Sequence, residues 1–96
     1  MKSELLREKP FYLNDEQIRW VEQTLAGLST EQKLRQMFCS IAYSDDPGYL
    51  DVQIAAGFGG LMCRCMPNDQ LINLASYLQS HAEIPFLIAG NMEAGI

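Results

Sequence analysis

Ile84-Pro85-Phe86-Leu87-Ile88-Ala89-Gly90-Asn91-Met92-Glu93 is the stretch on which the fold turns. Its apolar run, Phe86 to Ala89, lies between a proline and a glycine. Such a run reads as a strand buried on both faces, the kind found in parallel sheets. Two polar side chains, Asn91 and Glu93, follow directly. In α/β folds ligands gather at the carboxyl ends of parallel strands, so these two are the first candidate site residues.

Working outward, the same pattern recurs upstream. Gly59-Gly60-Leu61-Met62-Cys63 reads as a second strand and Phe38-Cys39-Ser40-Ile41-Ala42-Tyr43 as a third. The first is followed by the loop Arg64-Cys65-Met66-Pro67-Asn68, the other by Ser44-Asp45-Asp46-Pro47-Gly48. Between the strands lie helical patterns. Tyr49 to Ala56, with Leu50 and Ile54 inward, is closed by Gly57. Asn68 or Asp69 starts the longest helix, which carries Leu71, Leu74, Ala75 and Leu78 on one face and ends near His81 and Ala82.

Two helices precede the first strand. Asn14 with Gln17 makes a capping-box start, and Ile18, Val21, Leu25 and Leu28 recur at helical spacing. This helix runs to about Ala26, where Gly27 can supply a left-handed cap. Ser29 with Gln32 starts the next, whose buried face is marked by Leu34, Met37 and Phe38. Residues 1–13 read as an extended lead-in, and 14–96 as the body of the domain. Strands alternating with helices argue for parallel pairing through crossovers.

Composition narrows the function classes. The chain has 96 residues, 48% hydrophobic and 20% charged, ordinary for a globular domain. A net charge of −5 argues against nucleic acid as a partner, since phosphate binding calls for clustered Lys and Arg. No apolar run approaches the ~18 residues of a spanning helix, and the N-terminus lacks the apolar core of a signal peptide. Three cysteines outside any disulfide-rich pattern point to a reducing, cytoplasmic setting.

Three strands apolar on both faces need cover on two sides, and a barrel of eight strands needs ~250 residues. The expectation is therefore the N-terminal part of a larger α/β enzyme domain. Open strand edges and apolar faces also predict that the chain by itself associates.

Several segments carry a family likeness. Leu28-Ser29-Thr30-Glu31-Gln32-Lys33-Leu34-Arg35-Gln36-Met37-Phe38 resembles the opening of the family 3 glycoside hydrolase barrel. Ala56-Gly57-Phe58-Gly59-Gly60-Leu61-Met62 is similar to that family's glycine-rich entry to its second strand. Ile84 to Ala89 resembles its isoleucine-proline-hydrophobic third strand. Asn91-Met92-Glu93-Ala94-Gly95 falls where the family carries aspartate-x-glutamate-x-glycine.

The resemblance implies a TIM-type barrel that cleaves β-glycosidic bonds with retention, without metal or organic cofactor. Terminal β-N-acetylhexosamine residues are the first expected substrate and β-glucosides the second. A free-standing α/β binding or structural module, presenting Asn91, Glu93 and Arg64 to a partner, is the alternative of another class. In the family the aspartate of the third-strand motif hydrogen-bonds hydroxyls of the sugar. Asn91 is the matching position; its amide can still bond hydroxyls, but the charge is gone. The nucleophile, the acid/base group and a lysine–histidine pair are implied to lie beyond residue 96, so no catalytic residue is assigned in this chain.

Other residues have plainer readings. Asn91 and Glu93 could also cap a helix after the strand. Arg64 follows the second strand toward the same edge as Asn91, where it could hold a substrate carboxylate or pair with Asp69. Asp45-Asp46 before Pro47-Gly48 reads as a turn and helix start. Cys39, Cys63 and Cys65 lack the paired spacing of a zinc site and read as buried apolar thiols. His81 reads as a helix-end residue interacting with the dipole. Gly57-x-Gly59-Gly60 runs from helix to strand, unlike a phosphate loop, and reads as a helix stop and close-packing element.

Overall fold

The computed structural model describes residues 3–90. The chain divides into two compact units, residues 1–33 and 34–96.

The first unit begins with a short 3-10 helix, Ser3–Arg7, where the sequence suggested an extended lead-in. Helix α1, Asp15–Gly27, follows. Its start is the expected capping box. Gln17 N–H donates to Asn14 Oδ1 at 2.9 Å, and Asn14 N–H to Gln17 Oε1 at 2.9 Å, so two backbone donors that the first turn leaves unpaired are satisfied reciprocally. Arg7 bonds Glu4 and reaches the first-turn Asp15. The left-handed cap expected at Gly27 is absent: Gly27 closes the helix, and Leu28 leaves it in extended conformation at φ −87°, ψ 138°. An extended exit suits a chain that must present Ser29 at once as the next cap. Ser29 Oγ accepts from Gln32 N–H at 3.1 Å, and Gln32 Oε1 accepts from Ser29 N–H at 2.8 Å.

Helix α2, Thr30–Arg35, is only six residues long, so Met37 and Phe38 fall in the turn after it. The buried face expected for Leu34, Met37 and Phe38 does not form: all three are exposed, Met37 at 81%. Helical periodicity cannot carry a face past the end of the helix.

In the second unit three strands, β1 (Cys39–Ala42), β2 (Gly60–Cys63) and β3 (Leu87–Gly90), form one parallel sheet in the order β1-β2-β3. Helix α3 (Pro47–Ala56) connects β1 to β2, and α4 (Asn68–His81) connects β2 to β3. Alternation along a strand assigns the faces. Ala42, Leu61 and Cys63 join Leu50 of α3, Leu74 and Leu78 of α4, and Phe86 in a single core cluster. Both crossover helices therefore cover the same face of the sheet. A doubly wound sheet would divide them between two faces; a consecutive order with one-sided cover is the arrangement of a barrel wall.

The opposite face carries Cys39, Ile41, Met62, Leu87 and Ala89 by the same alternation, and neither α3 nor α4 covers it. This corrects the reading of the third strand as buried on both faces. All four residues of β3 are exposed, Leu87 at 81%, because β3 has one sheet neighbour and cover on one side.

Local chemistry sets the ends of these elements. Asp46 Oδ2 accepts from Tyr49 N–H at 3.2 Å at the start of α3, and Pro47 occupies the first turn, where its missing N–H costs nothing. Gly57 ends α3 at φ 71°, the left-handed conformation that favours glycine. Gly59 packs against the main chain, since a Cβ there would lie 2.0 Å from Gln36 O. Arg35 donates to Ala56 O at 3.0 Å and Gln36 Nε2 to Gly57 O at 3.1 Å, satisfying the last carbonyls of α3. The glycine segment is thus the helix stop and close-packing element the sequence indicated. Among the described residues no helix is long and apolar enough to cross a membrane.

Candidate functional site

The carboxyl ends of the parallel strands gather the loops that could hold a ligand. After β1 come Tyr43, Ser44, Asp45 and Asp46; after β2 come Arg64 and Cys65. Asn91 and Glu93 lie outside the described residues, so their placement is not part of this geometry.

The sheet register continues past the strand ends. Ala42 pairs with Cys63, and Arg64 N–H donates to Ala42 O at 3.2 Å. One residue further on, Tyr43 and Arg64 stand side by side. The guanidinium carbon of Arg64 lies 5.3 Å from the centroid of the Tyr43 ring, within range of a cation–π contact. This stands in place of the Asp69 pairing offered for Arg64, whose guanidinium meets the Tyr43 ring. Asp69 lies in the first turn of α4, whereas the Tyr43 ring stands directly beside the guanidinium.

Tyr43 is fixed from its main chain as well. Its N–H donates to the Tyr49 hydroxyl oxygen at 3.3 Å, and that hydroxyl donates to Ile41 O at 3.0 Å. Tyr49 of α3 thereby closes the top of β1. The reading of the sequence passed over Tyr43. The available signal was its position, as the residue after the last of an alternating strand, on the parity of Ile41.

The Asp46 carboxylate at this edge is structural. Asp46 caps α3, and its own N–H is held by Ser44 Oγ at 3.0 Å, as its place before Pro47-Gly48 indicated. Asp45 lines an open groove of about 660 Å³ with Asp46, Asn73, Tyr77 and His81. Beside it Tyr77 donates its hydroxyl to Asp51 at 2.6 Å. That bond, with smaller contributions from burial and the Asp51 charge, pushes the Tyr77 phenol up from its ordinary value. His81 lies stacked on Tyr77 with centroids 4.0 Å apart, and Nδ1–H donates to Tyr77 O at 2.8 Å, a last-turn carbonyl as expected of a helix-end histidine.

The cysteines divide. Cys63 is buried among the helix-facing residues, and burial pushes its thiol up. Cys39 and Cys65 are exposed, against the reading of all three as buried. Cys39 has the opposite parity to Ala42 and so falls on the open sheet face, and Cys65 lies past the end of β2.

Comparison with known proteins places this geometry in context. The chain is 41% identical over 92 residues to a protein named "Beta-N-acetylglucosaminidase/beta-glucosidase" from Cellulomonas fimi; the match covers 94% of this chain and 16% of that protein. Among solved structures it is similar to "Beta-glucoside phosphorylase BglX", with a TM-score of 0.79 and 38% identity over 97% of this chain and 16% of that one. A second, titled as the same phosphorylase bound to 2FGlc, matches with a TM-score of 0.77 and 37% identity over 92% of this chain and 16% of that one. No family model matches the chain. The likeness to family 3 glycoside hydrolases carried by the motifs thus holds in sequence and in fold. The α/β arrangement of three parallel strands alternating with helices matches the N-terminal part of such a barrel-type domain.

Proposed function

We propose that the protein carrying this chain cleaves β-glycosidic bonds with retention, taking terminal β-N-acetylhexosamine residues or β-glucosides. The observation that carries this reading is the 41% identity, over 94% of the chain, to a relative named for both activities. The one-sided parallel sheet supports it, because it directs the loops after β1 and β2 toward one edge.

Retention requires two successive displacements at the anomeric carbon. One carboxylate attacks it and displaces the leaving oxygen, which a carboxylic acid about 5–5.5 Å away protonates. Water, activated by the same acid group now acting as base, then attacks the anomeric carbon, breaking its bond to the carboxylate and freeing the sugar. The chain's own contribution is on the binding side. Asp46 is committed to its cap, and the resemblance to family 3 glycoside hydrolases implies that the reacting carboxylates lie beyond residue 96. Asn91 is assigned hydrogen bonds to sugar hydroxyls, for which an amide offers donors and an acceptor. Glu93 is assigned a supporting role, and Arg64 follows β2 at the carboxyl end of the sheet. The odd count of three cysteines, outside any disulfide-rich pattern, is the ground for proposing a reducing compartment such as the cytoplasm.

A second reading follows from the neighbours named as phosphorylases. If inorganic phosphate takes the place of water in the second displacement, the anomeric carbon–enzyme bond breaks as a carbon–phosphate oxygen bond forms. The product is then a glycosyl phosphate. The test is to express the full reading frame containing residues 1–96 and to supply aryl β-glucoside and aryl β-N-acetylglucosaminide, with and without phosphate. Release of the aryl alcohol supports cleavage, and the free sugar or the glycosyl phosphate identifies the acceptor. No release from either substrate in either buffer would overturn both readings.

A further inference from the structure

We propose that Tyr43 is a substrate-stacking residue, its ring a platform at the carboxyl edge of the sheet, and that Arg64 acts on the sugar through that ring. The inference rests on the glycoside reading above and assigns a contact that the motifs do not contain.

Three observations converge on Tyr43. The first is register. Ile41 pairs with Met62 and Ala42 with Cys63, and Ala42 and Cys63 face the helices, so the next pair, Tyr43 and Arg64, belongs to the open face. That is the face whose upper end a ligand at the strand termini would meet. The second is anchoring. The Tyr43 main chain is bonded to the Tyr49 hydroxyl, which is itself bonded to Ile41 O, so the ring starts from a fixed base. The third is exposure. Tyr43 is flanked by a cation yet the residue remains 61% exposed, leaving ring surface for a ligand.

The chemistry of that surface fits a sugar. An aromatic face is electron-rich, and the C–H side of a pyranose presents weakly positive hydrogens over an apolar patch. Neutral glucosides and N-acetylglucosaminides have no carboxylate for a guanidinium to pair with. Arg64 over the ring instead fixes the orientation of the ring. Arg64 is on this account a positioning residue.

The test uses the protein from the full reading frame and a neutral aryl β-glycoside. Tyr43→Ala is expected to raise KM roughly three- to tenfold with kcat within about twofold. Tyr43→Phe, which keeps the ring, should stay within about twofold of the unchanged protein. Arg64→Met should raise KM about two- to fivefold, and that effect should vanish in the Tyr43→Ala background, because the two act as one unit. An unchanged KM for Tyr43→Ala overturns the platform while leaving the glycoside reading intact. So does an Arg64→Met effect of equal size with or without the ring, and so does a fall in melting temperature that accounts for the Tyr43→Ala loss. Absence of turnover in the unchanged protein overturns the glycoside reading, and the platform with it.

Discussion

Gly59→Ala tests the packing of the sheet entrance most directly. The added Cβ would lie 2.0 Å from Gln36 O, 2.9 Å from its carbonyl carbon and 3.2 Å from its Cα. All three are main-chain atoms, so no side chain can swing aside. Gly59 and its neighbours also seed the pairing of all three strands: Gly60 N–H donates to Phe38 O at 3.2 Å and Leu87 N–H to Gly59 O at 2.9 Å. Overpacking costs about 1–3 kcal/mol, and straining or losing those two bonds adds about 1 kcal/mol each. A loss of roughly 3–5 kcal/mol follows, a large share of the ~5–15 kcal/mol available to a domain. At about 4–8 °C per kcal/mol for a chain of this size, the melting temperature should fall by well over 10 °C.

Two further glycines calibrate the result. Gly60→Ala meets Leu87 O at 3.3 Å and Cys39 Sγ at 3.4 Å and should cost distinctly less. Gly27→Ala meets nothing within 4 Å, lies in α1, and should be neutral or stabilising by about 0.4–1 kcal/mol. Thermal melts and urea titrations of the three variants would rank them. A Gly59→Ala loss below about 1 kcal/mol, or smaller than that of Gly60→Ala, would refute the reasoning.

Other expectations are more local. Gln79 brackets Phe86, donating from Nε2 to its carbonyl and accepting its N–H, both at 2.9 Å; Gln79→Ala should cost about 1–3 kcal/mol in a urea titration, and an unchanged midpoint would show that water replaces both bonds. Burial raises the Cys63 thiol above its ordinary 9.0, so the folded state holds its proton longer than the unfolded chain does. Stability should therefore be undiminished below about pH 9 and decline as pH rises past it; Cys63→Ala should flatten that alkaline limb in melts, and an identical limb in both proteins would contradict it. In the full-length protein Asn91→Ala should lower kcat/KM roughly three- to tenfold with little change in melting temperature, while Asn91→Asp is tolerated; a drop in melting temperature without a kinetic effect would mark a cap instead. We further propose that residues 1–96 alone self-associate, since Met37, Phe38 and Leu87 are exposed together with an open strand edge. The same chain alone should leave aryl β-glycosides uncleaved; a monomer in sedimentation at tens of micromolar, or turnover above a buffer blank, would count against these expectations.

What the sequence determined by itself is what depends on neighbours a few residues away. Asn14 with Gln17 and Ser29 with Gln32 form their boxes because the partners lie three residues apart on one turn. Gly57 ends α3, and Asp46 begins it, for equally local reasons. The order of strands and helices followed from such signals, and with it the parallel sheet. Periodicity alone misled where an element stopped short: α2 ends at Arg35, so the apolar spacing continued through Phe38 while the helix did not.

Only the tertiary structure decided which surfaces are covered and which side chains meet. Both α3 and α4 pack on one face, and nothing in the apolar pattern of β3 distinguishes one covered face from two. Arg64 lies over Tyr43 because the register of β1 on β2 brings residues distant in the chain side by side. A register shift of one residue would send both to the other face. That register is held in part by Gly59, whose missing side chain lets the strand entrance close on Gln36. Such a contact depends on main-chain approach between separate segments, which residue types along a chain do not encode locally.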